Sequence, residues 1–247
     1  FLWHHGIPTS DQASKVTAET MATTGWGIIV NALEVAVGFG LLMLGTIVPM
    51  KNVGLLTAAA MLISMLLLQQ VWLEGPISYF LGGWEAPWGI EYQIDTVNAF
   101  MLVIVTLIGS VVMPFARASV EAEIEKERIY LFYCMYLLNL AGLLGIAITG
   151  DVFNLFVFLE ISSLSSYVLI SLGRDRRALS AAYRYLIMGT LGATFYLIGV
   201  GLMYQMTGTL NMSDLAARLP EVAETKTILV AIGFITVGVG LKLGLFP

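Results

Sequence analysis

The chain has 247 residues, of which 58% are hydrophobic and only 12% charged, with a formal net charge of −5. A soluble domain carries roughly 25% charged residues. This composition, with a mean hydropathy of +0.85, therefore excludes an ordinary soluble domain, and nothing in it resembles a nucleic-acid surface. It predicts an all-α, polytopic bundle of transmembrane helices. Cys134 is the single cysteine; it has no partner for an internal disulfide and no neighbouring ligand for a metal site.

Residues 1–25 form a polar lead without the basic start and small-residue cleavage site of a signal peptide. The His4-His5 pair within it is too short a cluster to hold a metal. Seven apolar runs follow, near 26–49, 52–73, 94–115, 129–149, 151–172, 180–206 and 226–247, each close to the ~20 residues a spanning helix needs. Two N-terminal spans thus occupy 26–73, an outer hairpin loop occupies 74–93, and five further spans occupy 94–247. The hairpin combines Gly75-Pro76, Gly82-Gly83 and Pro87 with Tyr79, Phe80, Trp84, Trp88 and Tyr92. Glycine and proline give turns there, and Trp and Tyr favour the headgroup zone. Asp95 opens the third span, which also carries Asn98. The fourth and fifth spans are separated by Thr149-Gly150-Asp151, a tight reversal in which Asp151 can cap the following helix. The chain starts at Phe1 and stops at Pro247 inside an apolar run, and so reads as a fragment of a longer membrane protein.

Orientation follows from the basic residues of the loops. With the N-terminus outside, the inner loops hold Lys51, Arg117, Lys126, Arg128, Arg174, Arg176 and Arg177, whereas the outer segments hold Lys15, Arg218 and Lys226. The expected location is a cell (inner) membrane, with the N-terminus outside.

Four ionisable residues fall within the expected spans: Glu34, Glu160, Arg184 and Lys242. A carboxylate at bilayer depth costs roughly 2.5–3.5 kcal/mol on insertion scales, so it needs a partner or a job. Glu160 and Lys242, being opposite in charge, are natural partners. Burial disfavours a charged lysine and a nearby carboxylate favours it. Moving that carboxylate therefore switches the lysine between holding and releasing a proton. Arg184 stays protonated and reads as a fixed charge near the inner end of its helix. Ser163 and Tyr167 stand three and seven residues after Glu160, on the same helical face, where hydroxyls can hold water. Pro247 removes a helical hydrogen bond and breaks the last span. Glu34 has no assigned role. Counted from the helix starts at ~1.5 Å per residue, Glu160 lies ~14 Å deep and Lys242 ~24 Å deep. A direct contact then needs tilt, a later start for the last helix, or a bridging water. No phosphate-cradling loop, iron–sulfur cysteine cluster or haem histidine pair occurs, so no cofactor, no metal and no catalytic centre of its own are expected.

These residues suggest a family. The run Thr149-Gly-Asp-Val-Phe-Asn-Leu-Phe-Val-Phe-Leu-Glu160-Ile-Ser-Ser-Leu-Ser-Ser-Tyr167 resembles the signature of the antiporter-like membrane subunits. These are shared by Mrp-type multisubunit cation/proton antiporters and NADH:quinone oxidoreductase. Gly82–Asp95, Ala182–Gly189 with Leu202–Met212, and Gly240–Pro247 match further family stretches in the same order. The resemblance implies a piece of a ~14-helix fold of two inverted repeats, in which the fifth-helix glutamate pairs with the seventh-helix lysine, here Glu160 and Lys242. Arg184 stands where relatives often carry lysine. The wording around Asp151 and Phe153-Asn154 looks more like the Mrp D-subunit branch. The implied function is proton or monovalent-cation translocation. The implied partners are other membrane subunits, protons, sodium as a second ion, and lipid. The alternative is a proton-pumping subunit of a complex I or membrane-hydrogenase type redox enzyme, in which case the chain is part of a translocase.

Overall fold

The computed structural model describes residues 49–245. Glu34, the first expected span and Pro247 lie outside the described residues. Within them, helix α1 (Pro49–Glu74) leads into a two-stranded antiparallel ribbon, β1 (Ile77–Phe80) and β2 (Glu91–Ile94). Helices α2 (Thr96–Glu123), α3 (Ile129–Ile148), α4 (Val152–Ser171) and α5 (Arg176–Thr207) follow. The short α6 (Met212–Val222) and then α7 (Lys226–Lys242) complete the bundle. Five helices, α1 to α5, are long and apolar enough to cross a membrane, and α7 adds 17 mostly apolar residues. The short connections make successive helices antiparallel. Large apolar side chains such as Leu62, Leu66, Phe115 and Leu191 are exposed on the outside of the bundle, as expected where lipid is the solvent.

Three boundaries differ from the sequence expectation. Helix α2 runs eight residues past 115, straight through Pro114. At ~1.5 Å per residue its 28 residues outreach a ~30 Å hydrocarbon core, and its last turns carry the exposed Arg117–Glu121 pair at 3.2 Å. The loop 74–93 contains strands, with Ile77 opposite Ile94 and Phe80 opposite Glu91. The ribbon displays exposed Tyr79, Trp84 and Trp88, side chains suited to the interfacial zone. Helix α7 ends at Lys242, five residues before Pro247. Gly244 adopts φ +67° there, a left-handed conformation that glycine accepts without strain, and the Leu245 N–H turns back to the Gly240 carbonyl at 3.0 Å.

Each of five helix starts has a polar cap worth about 1 kcal/mol. Asp95 accepts from the Asn98 N–H at 2.8 Å and Asp151 from the Asn154 N–H at 2.7 Å. Asp175 caps α5, Asn211 caps α6 and Thr225 caps α7. The ribbon end of the bundle is then knotted. The Gly150 N–H donates to the Glu91 carbonyl and the Met212 N–H to the Gly150 carbonyl, both at 2.8 Å. The Val152 N–H donates to the Leu210 carbonyl at 2.9 Å. Asn211 Nδ2 donates to Glu91 Oε2 at 2.8 Å, and the Ser78 hydroxyl donates to Glu91 Oε1. Ribbon, α3–α4 reversal and α5–α6 corner are thereby one unit. Its buried polar groups, Thr149, Asp151, Thr209 and Asn211, find partners as buried polar groups must.

Candidate functional site

Helix α4 carries Glu160 and α7 carries Lys242. The chain brings them together by packing backbone on backbone. On α3, Gly142 and Gly145 receive α4: a Cβ at Gly142 would stand 2.8 Å from the Ser162 nitrogen, and one at Gly145 would meet the Phe158 ring. On the other side, α5 and α7 meet at glycines. A Cβ at Gly199 would stand 2.8 Å from the Ala231 carbonyl oxygen, and one at Gly192 3.0 Å from the Gly238 oxygen. Small residues at such crossings allow the close approach on which membrane helix packing depends. Helices α4 and α5 are joined by the Tyr196 hydroxyl, which donates to the Val152 carbonyl at 3.0 Å.

At the centre, Lys242 Nζ donates to Glu160 Oε1 at 2.5 Å and to Ser163 Oγ at 2.9 Å. The ammonium side chain is 11% exposed and the carboxylate 25%. The contact is direct. The depth mismatch counted from the sequence vanishes because the two helices do not start in one plane. Val152, the first residue of α4, packs against the buried cluster that includes Ile228 and Ala231 of α7, while Lys242 lies 16 residues into α7 and Glu160 eight residues into α4. Helix α7 thus begins beyond the start of α4, carried there by the intervening α6. Charged groups this close in a poorly hydrated setting stabilise one another, and loss of either leaves the other uncompensated.

The remaining sequence candidates separate. Ser163 touches the lysine. Tyr167 is buried one turn further along α4. Its hydroxyl occupies the hollow over Gly189, and its ring meets Tyr185 edge-on at 4.8 Å. Arg184 is exposed on α5, with no ion pair among the described residues. A cavity of about 380 Å³ adjoins Lys242 and Ser163. Its wall includes Lys242, Ser163, Ser162, Ser166 and Asn139. Asn139 goes unremarked in the sequence, although a lone amide in an otherwise apolar span is a signal of its own.

By its fold the chain is a multi-pass membrane protein built on the antiporter-type helical bundle. Residues 149–247 match the family described as NADH:quinone oxidoreductase/Mrp antiporter, transmembrane. The chain is 47% identical over 172 residues to "NADH-quinone oxidoreductase subunit N" of Desulforudis audaxviator, covering 70% of this chain and 34% of that protein. It is 36% identical over 194 residues to the D subunit of the Na(+)/H(+) antiporter of Alkalihalophilus pseudofirmus, covering 78% and 39%. Among solved structures, the membrane-bound sulfane sulfur reductase, an archaeal respiratory membrane complex, matches with TM-score 0.76 and 30% identity over 91% of this chain and 44% of that one. The Mrp complex from Dietzia sp. matches in fold, with TM-score 0.69 and 24% identity over 90% and 40%. The chain spans between a third and two fifths of the length of these two curated relatives.

Proposed function

We propose that the chain is part of a proton- or cation-translocating membrane subunit of a multisubunit Mrp-type cation/proton antiporter, with Glu160 and Lys242 as a coupled titrating pair. The observation that carries this is the 2.5 Å contact between them, shared with Ser163, beside a cavity that Lys242 and Ser163 both line. A carboxylate drawn close holds the proton on the lysine, and a carboxylate drawn away lets it leave. Ser163 accepts from the ammonium, and its own O–H is a donor on the Tyr167 side of the pair. Its partners are other membrane subunits, with protons and sodium as the transported ions. The distribution of basic loop residues supports an N-terminus outside an inner cell membrane. Arg184 acts as a fixed charge, Tyr167 as support for α4 against α5, and Pro247 as part of the break beyond Lys242.

A second reading has its own support. The 47% identity to a protein named as a quinone oxidoreductase subunit favours a proton-pumping role in a redox complex, using the same pair.

The test is Glu160→Gln in the complete protein, assembled with its partners in membrane vesicles under a pH gradient. Insertion and assembly stay intact and ion-coupled transport falls to near background. Transport at normal rates in that variant overturns the proposal.

A further inference from the structure

Asn139 is the one amide side chain between Ile129 and Ile148 on α3. It is partly buried, and it lines the cavity that Lys242 also lines. Its protein partner is poor. The Ser166 hydroxyl stands 3.3 Å from Asn139 Oδ1, but 2.9 Å from the Ser162 carbonyl, which is the better acceptor for its single proton. An amide offers two N–H donors and two lone pairs, and Asn139 stands in the cavity wall. Burying an amide without partners costs several kcal/mol in an apolar medium. The cavity has room for on the order of ten waters at ~30 Å³ each, enough to provide such partners.

The polar wall is also lopsided. Asn139, Ser162, Ser166 and Tyr185 lie on the side of the pair toward the Arg174 loop. Toward the knot the wall is Phe156, Leu159, Ile146 and Val239. The exception is Tyr196, whose hydroxyl is engaged with Val152. The side chains able to hold water beside Lys242 therefore stand mainly on the Asn139 side.

We propose that Asn139 is a positioning residue: its amide orients the cavity water through which Lys242 exchanges its proton. This rests on the reading of Glu160 and Lys242 as a titrating pair. In the transfer, an Nζ–H bond breaks and the proton joins a water oxygen. That water passes one of its own protons to the next, and the amine left on Lys242 is neutral. The reverse sequence restores the ammonium, and no redox partner is involved. Asn139 changes neither charge nor covalent state. It fixes where the accepting water stands.

Two measurements on the complete, assembled protein decide this. In a background free of other cysteines, with Cys134→Ser, the variant Asn139→Cys is treated with a membrane-impermeant methanethiosulfonate. Modification is expected, since the position is wet; no modification from either face overturns the proposal. In the second, Asn139→Leu lowers ion-coupled transport at least about tenfold, the scale of one lost hydrogen bond in a barrier. Asn139→Gln and Asn139→Ser, which can still hold a water, keep most of it. Leucine favours insertion, so its effect is read against equal amounts of assembled protein. Normal transport in Asn139→Leu, or equal loss in all three variants, overturns the positioning role. Failure here leaves the Glu160→Gln result untouched. Failure of that result leaves the cysteine modification standing, so the two readings fail separately.

Discussion

Gly238 on α7 lies directly against Tyr196 on α5: a Cβ added at Gly238 would stand 2.6 Å from the Tyr196 backbone nitrogen and 2.7 Å from the Gly192 carbonyl oxygen. Backbone atoms cannot swing aside as a flexible side chain can. A methyl group at this point must push the two helices apart, and Lys242 is one turn further along the same helix.

Gly238→Ala is therefore expected to destabilise the bundle by about 1–3 kcal/mol, the scale of overpacking, and to weaken transport by displacing Lys242 from Glu160. The control is Gly201→Ala, where nothing lies within 4 Å of the added carbon. Thermal unfolding in detergent, set beside transport in vesicles, reads both effects. Equal behaviour of the two variants would show that the α5–α7 crossing is looser than its geometry.

The Glu160–Lys242 pair should show strong coupling in a double-mutant cycle. Removing one partner leaves the other charged in a poorly hydrated place, whereas Glu160→Gln with Lys242→Gln leaves two neutral amides. The double variant should be more stable than the sum of the single losses implies, by about 1–3 kcal/mol. Additive losses would mean that water, rather than the partner, compensates each charge.

Asn211 joins two tasks. Its Oδ1 accepts from the Ser213 and Asp214 N–H groups at 3.0 Å, and its Nδ2 donates to Glu91 at 2.8 Å. Asn211→Ala loses both, at a cost of about 1–2 kcal/mol. Asn211→Asp keeps the cap but sets a second carboxylate against Glu91. The aspartate variant is expected to match or exceed the alanine variant in loss at neutral pH, and to recover when the pH is lowered enough to protonate a carboxylate. Limited proteolysis of the ribbon, measured alongside thermal unfolding, reports whether it has come free.

Much of the helix order was legible because an apolar run of ~20 residues is rarely anything but a spanning helix. Asp95 and Asp151 marked helix starts, because a short acidic side chain satisfies N–H groups that the helix cannot. The contact of Glu160 with Lys242 was legible in its chemistry and not in its depth. Counting residues assumes that helices start in one plane, and α6 lifts the start of α7 out of it. The extension of α2 past 115 was hidden because Arg117 and Glu121 resemble loop residues until seen as an i,i+4 pair on a helix emerging into water. The early end of α7 was hidden because Pro247 is the louder signal, while Gly244 supplies the left-handed turn. Asn139 escaped because an apolar run does not say which of its faces meets a cavity.

The knot of Glu91, Gly150 and Asn211 makes the ribbon end of α4 a fulcrum. Glu160 sits eight residues below Val152, a lever of ~12 Å at ~1.5 Å per residue. A tilt of roughly 10° about the fulcrum carries the carboxylate about 2 Å, enough to stretch a 2.5 Å contact beyond the ~3.5 Å limit of a hydrogen bond. A push of a few ångströms at the far end of α4, where Arg174 meets the carbonyls of Glu123 and Ile124, would stretch that contact while leaving the ribbon end in place.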